Sequence, residues 1–216
     1  MKNKERLLFD SLLNMEILNL SDNCLSSLSK NQFLNNYNLR HLYLNHNKLS
    51  DLFIDESDDW TSQVFSKLLN LEILDLSYNK LTRLPSFFNK VENVSYFAAL
   101  KALCVQHNDL SRLLFDELRD LRRLKIFFAH GNKISFVENT AFTDMIKLKV
   151  MFLYDNSFSE NLTSESEFYV TLKQQRKHLN YLLVNHDLGK IRELVLFIQL
   201  KKYRNLIENE TFQLRQ

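Results

Sequence analysis

The chain has few of the residues that usually punctuate or staple a fold. Its 216 residues include two glycines and one proline. Two glycines exclude most glycine-rich phosphate cradles and dinucleotide fingerprints. So little glycine and proline also argues against long flexible linkers. Cysteine is as sparse, with Cys24 and Cys104 alone, and no zinc-ligand spacing is present. Neither sign of charge is in excess: 28 Lys and Arg against 26 Asp and Glu leave +2. That balance points away from nucleic acid and from acidic membrane surfaces. No apolar run reaches the roughly 18–20 residues of a bilayer span. The opening MKNKERLLFDSLLN is basic but soon meets Asp10, and no small-residue cleavage site follows. It reads without a secretory leader.

What the chain has in quantity is apolar residues, 45% of the total, enough for a real core in one or two domains. They recur in a fixed pattern. Leu71 to Leu81, LEILDLSYNKL, reads L-x-x-L-x-L-x-x-N-x-L with every position filled. Leu74 and Leu76 lie two apart, so on a strand they share one face while Ile73, Asp75 and Ser77 take the other. Asn79 turns the chain off the strand, its amide bonding backbone groups that would otherwise be buried without partners. The pattern returns at Met15–Leu25, Leu39–Leu49, Leu100–Leu110, Leu124–Ile134 and Leu148–Phe158, with Asn23, Asn47, Asn108, Asn132 and Asn156 at the turn. A weaker seventh copy, Leu179–Gly189, carries Asp187 there. Start-to-start spacings are 24, 32, 29, 24, 24 and 31 residues. One such unit cannot bury its own leucines, so the copies must stack.

This pattern resembles the 24-residue class of leucine-rich repeats. Leu81–Pro85, LTRLP, and the run from Ile134 to Phe142 resemble the outer half of the unit in receptor, small-proteoglycan and intracellular scaffold arrays. The resemblance covers about residues 9–188. It implies an α/β solenoid, a curved horseshoe with a parallel β-sheet on the concave face and irregular or helical segments on the convex face. It also implies ligands taken on the concave side, without naming one.

The boundaries follow. Residues 1–14 read as half a repeat, either the remnant of a longer array or a small helical cap at Lys2–Leu8. Six residues before each repeat comes a large apolar residue: Phe9, Phe33, Phe65, Val94, Leu118, Phe142. The array runs over 1–188. The second unit's outer half is acidic from Asp51 to Asp59 ahead of Trp60, and Ser164 with Glu167 makes a capping box. Residues 189–216 place Ile191, Leu194, Val195, Ile198, Leu206 and Ile207 on one side of a helix that caps the last repeat. A basic adaptor helix is the alternative.

Cys24 and Cys104 fall three strands apart, about 14 Å at the usual strand spacing. A disulfide needs Cα atoms within about 7 Å, so both are free and a reducing, cytoplasmic compartment is expected. Against that stand sequons at Asn19, Asn93, Asn161 and Asn209, the mark of a secreted receptor array.

No catalytic constellation emerges. His107 and His130 belong to neighbouring repeats with Asp155 nearby, but histidines on a wet turn explain them. A Cys104–His130 pair lacks an orienting carboxylate and an oxyanion site. No metal, cofactor or enzymatic activity is expected. The concave columns instead offer Tyr43, Phe128, Phe152 and Tyr154 as exposed aromatic anchors, with Asp75, Gln106 and His130 as polar contacts. The expected role is a non-enzymatic scaffold holding another protein, as a monomer or as part of a longer array.

Overall fold

The computed structural model describes residues 8–29, 31–50, 64–84 and 97–158, together with the backbone of 88–89, 94–95 and 181–183. Its contacts divide the chain into Met1–Val184 and Asn185–Gln216. The cap over residues 2–7, the acidic loop with Trp60, the Ser164–Glu167 box, Asp187 and the helix at 189–216 lie outside the described residues.

Each repeat supplies one three-residue strand. In chain order the strands are β1 (Ile17–Asn19), β2 (His41–Tyr43), β3 (Ile73–Asp75), β4 (Phe88–Asn89), β5 (Val94–Ser95), β6 (Ala102–Cys104) and β7 (Arg112–Leu113). The one-turn helix α1 (Phe115–Leu118) follows, then β8 (Ile126–Phe128), β9 (Phe136–Val137), β10 (Val150–Phe152) and β11 (Tyr181–Leu183). Seven of these strands form one sheet in the order β1-β2-β3-β6-β8-β10-β11. Every neighbour is parallel and in unslipped register, so Leu18, Leu42, Leu74, Leu103, Phe127, Met151 and Leu182 stand in one row. Parallel strands laid side by side in chain order are the signature of stacked repeats, and the leucine row is the one the spacing demands.

The core is built by columns. Behind the strand row lie Leu44, Leu76, Val105, Ala129 and Leu153, then Leu49, Leu81, Leu110 and Ile134, all buried. Each fully buried leucine contributes about 1.5–3 kcal/mol of transfer free energy, which single units could not collect alone. On the outer side Phe9 stacks on Phe33 and Phe33 on Phe65, with ring centroids 6.0 and 6.3 Å apart. Phe97 continues this spine at 5.9 Å from Phe65. Val94, expected in that slot from its spacing, belongs to β5, and its side chain lies outside the described residues. Phe97 comes three residues before Leu100, as Leu68 comes three before Leu71, and both are buried. Leu118 and Phe142 are buried as the spacing suggested.

The convex side is more extended than expected. Beyond the single turn of α1 it carries an antiparallel pair, β4–β5, and a parallel pair, β7–β9. The parallel pair arises because neighbouring repeats send equivalent segments, Arg112–Leu113 and Phe136–Val137, along the same path. Glu117 steadies α1 by accepting the Leu114 N–H at 3.1 Å, and Glu138 accepts the Phe115 N–H at 2.8 Å from the next repeat.

Candidate functional site

The open face of the sheet is positioned by the asparagine at the end of each strand. Asn79 shows the wiring. Its Nδ2 donates to the carbonyls of Leu76 in its own repeat and Leu44 in the previous one, at 3.0 and 2.9 Å. Its Oδ1 accepts the Leu49 N–H at 3.0 Å. Asn47, Asn108, Asn132 and Asn156 repeat the scheme, each accepting from the repeat before it. One carboxamide thus satisfies backbone groups on both sides of a repeat boundary, where an unmade bond is costly. Among the described residues Asn23 bonds only the Leu20 and Ser21 carbonyls, within its own repeat.

The residue before each of these asparagines carries a left-handed backbone. Asp22, His46, Tyr78, His107, Gly131 and Asp155 all have φ between 52° and 63°. The sequence pattern shows that His46 and His107 share this position but gives no reason for it. The reason is conformational: Asp, His and Gly accept the left-handed region more readily than most residues. A column of Asp, His, Tyr, His, Gly and Asp was the available signal. The kink swings these side chains into a ladder. His46 stacks on Tyr78 at 4.2 Å and Tyr78 on His107 at 4.4 Å. At the next rung Gly131 leaves room, because a Cβ there would lie 2.5 Å from His107 Nδ1. The ladder then steps to His130, edge-on to His107 at 5.3 Å and stacked on Tyr154 at 4.5 Å.

Beside that ladder Phe128 and Phe152 stack at 4.8 Å, as adjacent positions in register. The structure corrects one expectation here. These rings are not exposed: Phe128 is 5% and Phe152 1% accessible. They pack against each other and against His130 and Tyr154. His130 is likewise no wet-turn residue, at 4% accessible. Burial pushes its pKa down to about 3, helped by His107, so it is a neutral ring within an aromatic cluster. Burial also lowers His107, against the pull of Asp155.

The earlier strands present the accessible part of the face. Tyr43 and Asp75 pair across β2 and β3 and are partly exposed. Asp75 Oδ1 accepts both the Ser77 N–H, at 2.9 Å, and the Ser77 hydroxyl, at 2.6 Å. Burial raises the Asp75 pKa, opposed by those two bonds. Burial, then the Asp75 charge, raises that of Tyr43. Gln106 is half-buried, its Oε1 enclosed and without a hydrogen-bond partner. Asn19 repeats the Asp75 geometry on β1 and is exposed.

Cys24 is exposed and Cys104 buried, and both are free thiols. With Cys104 and His130 at 1% and 4% accessible, that pair is closed to substrate. Among the described residues no three His, Cys, Asp or Glu side chains converge to hold a metal. What the face offers is shape, a hydroxyl, a carboxylate and a carboxamide on a stiff backing.

Comparison with known proteins gives a consistent picture. A family model described as Leucine Rich Repeat matches residues 38–59 and 70–91. Mouse podocan-like protein 1 is 35% identical over 141 residues, 57% of this chain and 24% of that protein. Human oligodendrocyte-myelin glycoprotein is 27% identical over 149 residues, 69% of this chain and 29% of its own length. An adenylate cyclase of Schizosaccharomyces pombe is 33% identical over 129 residues, a stretch that is 7% of it. The chain thus spans about a quarter of the curated relatives podocan-like protein 1 and podocan. Among solved structures, the Leptospira interrogans LRR protein LIC12759 superposes with a TM-score of 0.62 at 25% identity, covering 81% of this chain and 44% of that one. A chain of the octameric complex of Latrophilin 3, Unc5D and FLRT2 does so at 0.60 and 20% identity, covering 81% and 48%.

Proposed function

We propose, from the premise that this is a leucine-rich-repeat protein, that it acts as a non-enzymatic scaffold gripping another protein on the open face of its sheet. The observation that carries the reading is the adjacency of Tyr43 and Asp75 on strands pinned from both sides by the asparagine wiring. An aromatic with a hydroxyl beside a half-buried carboxylate, on a backbone that moves little, offers contact area and direction at small entropic cost. Gln106 and Tyr154 extend the contact set. Phe128, Phe152 and His130 serve beneath it as a packed bed that fixes Tyr154. FLRT2, a leucine-rich-repeat protein, stands in an octameric complex with Latrophilin 3 and Unc5D, and a gripping role for this array is consistent with that.

The test is affinity capture with the full chain carrying Tyr43→Ala and Asp75→Asn, which keeps the Oδ1 acceptor for Ser77, beside a Tyr37→Ala control on the turn before β2. The double variant loses at least about tenfold of the protein captured by the wild type, the scale of one hot-spot pair, while its unfolding midpoint stays within a degree or two. Undiminished capture by the double variant rules the face out.

A secreted setting has one specific support, a relative whose name is glycoprotein. The unbridged cysteines point to a reducing compartment, against the four sequons and that relative. The secreted reading is therefore the one carried forward, with the cytoplasmic one as its alternative.

A further inference from the structure

We propose that Asn19 is an N-glycan attachment site on the open face of the first strand. The inference deepens the secreted reading and rests on it. Asn19-Leu20-Ser21 is a sequon that begins on a strand, where a sugar usually has no room. Its geometry nonetheless suits it to modification. In the column Asn19, Tyr43, Asp75, Cys104, Phe128, Phe152, the first side chain is exposed, the next two are partly buried and the last three are buried. Only at Asn19 can that column carry a bulky substituent.

The atoms are arranged for it. Asn19 Oδ1 accepts the Ser21 hydroxyl at 2.6 Å and the Ser21 N–H at 2.9 Å. Its Nδ2 has no partner among the described residues. Leu20 packs toward the core on the opposite side of the strand, so a group added at Nδ2 displaces no apolar contact. In the transfer, the anomeric carbon of a lipid-pyrophosphate-linked oligosaccharide forms a bond to Nδ2 and breaks its bond to the pyrophosphate oxygen. The lipid pyrophosphate leaves and one amide hydrogen goes to a base of the transferase. No electron is gained or lost. The product amide keeps one N–H and the whole Oδ1, so both bonds from Ser21 survive and the fold bears no penalty.

A glycan is bulky and solubilising. At this position it stands over β1 and restricts the partner's footprint to β2 and beyond, where Tyr43 and Asp75 lie. It also covers Ile17, 57% accessible where its counterparts Ile73, Ile126 and Val150 are at 6% or less.

The test uses the full protein isolated from its native source. It is treated with peptide-N-glycosidase in heavy-oxygen water, and the peptide containing Asn19 is read by mass spectrometry. The same protein with Ser21→Ala, and separately with Ser21→Thr, is isolated alongside. Expected is heavy-oxygen aspartate at position 19 in most molecules, its loss in Ser21→Ala and its return in Ser21→Thr. Unmodified Asn19 in a protein glycosylated at Asn93, Asn161 or Asn209 overturns this site and leaves the secreted reading standing. A protein with no glycan at any sequon overturns both.

Discussion

His130 is a titratable group placed where titration is penalised. Its folded pKa of about 3 lies below the unfolded value near 6.5. The folded state therefore binds fewer protons than the unfolded one between those limits. The stability from keeping His130 neutral is complete above pH 6.5 and is lost as pH falls toward 3. From pH 7 to pH 5 the unfolding free energy from urea titration should drop by about 2 kcal/mol on this account. His130→Phe keeps a ring between Phe128, Phe152 and Tyr154 and should flatten that slope relative to wild type. An unchanged slope would place the pH sensitivity elsewhere. Gly131 makes a second point at this scale. Alanine there meets His107 at 2.5 Å and a φ of 63°. The cost should be about 2–3 kcal/mol from the left-handed strain and the broken ladder together, with the His46 and Tyr78 ring resonances shifting by NMR. Tyr78→Gly, by contrast, should relieve strain while losing two stacked contacts. The sequence marks these residues as a site without showing their burial. Phe128 and Phe152 sit at positions that point away from the leucine core, and alternation alone assigns such positions to solvent. The structure buries them all the same, stacked on each other and against the rings of His130 and Tyr154.

At the scale of the element, the asparagine turn was fully legible. Its spacing recurs without error from Asn23 to Asn156, and only a backbone requirement repeats so strictly while leucine yields to valine, alanine or phenylalanine. The wiring sets a gradient that single substitutions can read. Asn79→Ala strands the buried Leu49 N–H and takes one of two amide donors from each of the Leu44 and Leu76 carbonyls, which keep Asn47 and Asn108, and should cost about 2–3 kcal/mol. Asn23→Ala removes only local bonds at an exposed turn and should cost under about 1 kcal/mol. Equal losses in guanidinium titrations would refute the idea that the bond across the repeat boundary is what counts. The phenylalanine spine was legible except at one rung, because spacing counts residues and not reach. Phe97 meets Phe65 from three residues before its repeat, where Phe65 and Phe33 stand six before theirs. Phe33→Ala, at the centre of a stack on both sides, should cost about 3–5 kcal/mol. The convex strand pairs left no trace in the sequence. They are two residues long, and the partner of β7 lies a whole repeat away.

For the whole molecule, stability belongs to boundaries between repeats rather than to repeats. Strand β1 has a neighbour on one side only, whereas β6 and β8 are flanked on both. Amide hydrogen exchange should accordingly be fastest at Leu18–Leu20 and slowest at Leu103–Val105 and Phe127–Ala129. Uniform protection would mean that the array folds as one indivisible body. Here the order, direction and register of the sheet could be read in advance, because the same eleven-residue pattern, whatever the length between copies, aligns one leucine of each strand with the next. The identity of what it holds could not be read, since stacking constrains the inner side chains and leaves the outer ones to selection by a partner.

The wiring also makes the chain editable. Asn132 and Asn156 meet the preceding unit through the same two bonds, one N–H accepted and one carbonyl donated to, and their strands are 24 residues apart. Excising residues 124–147 would bring Asn156 to the seat Asn132 now holds, accepting from Leu110. The protein should close over the gap and remain folded, shorter by one rung. Removing one residue more from within the strand itself would turn that strand's leucines to the wrong face.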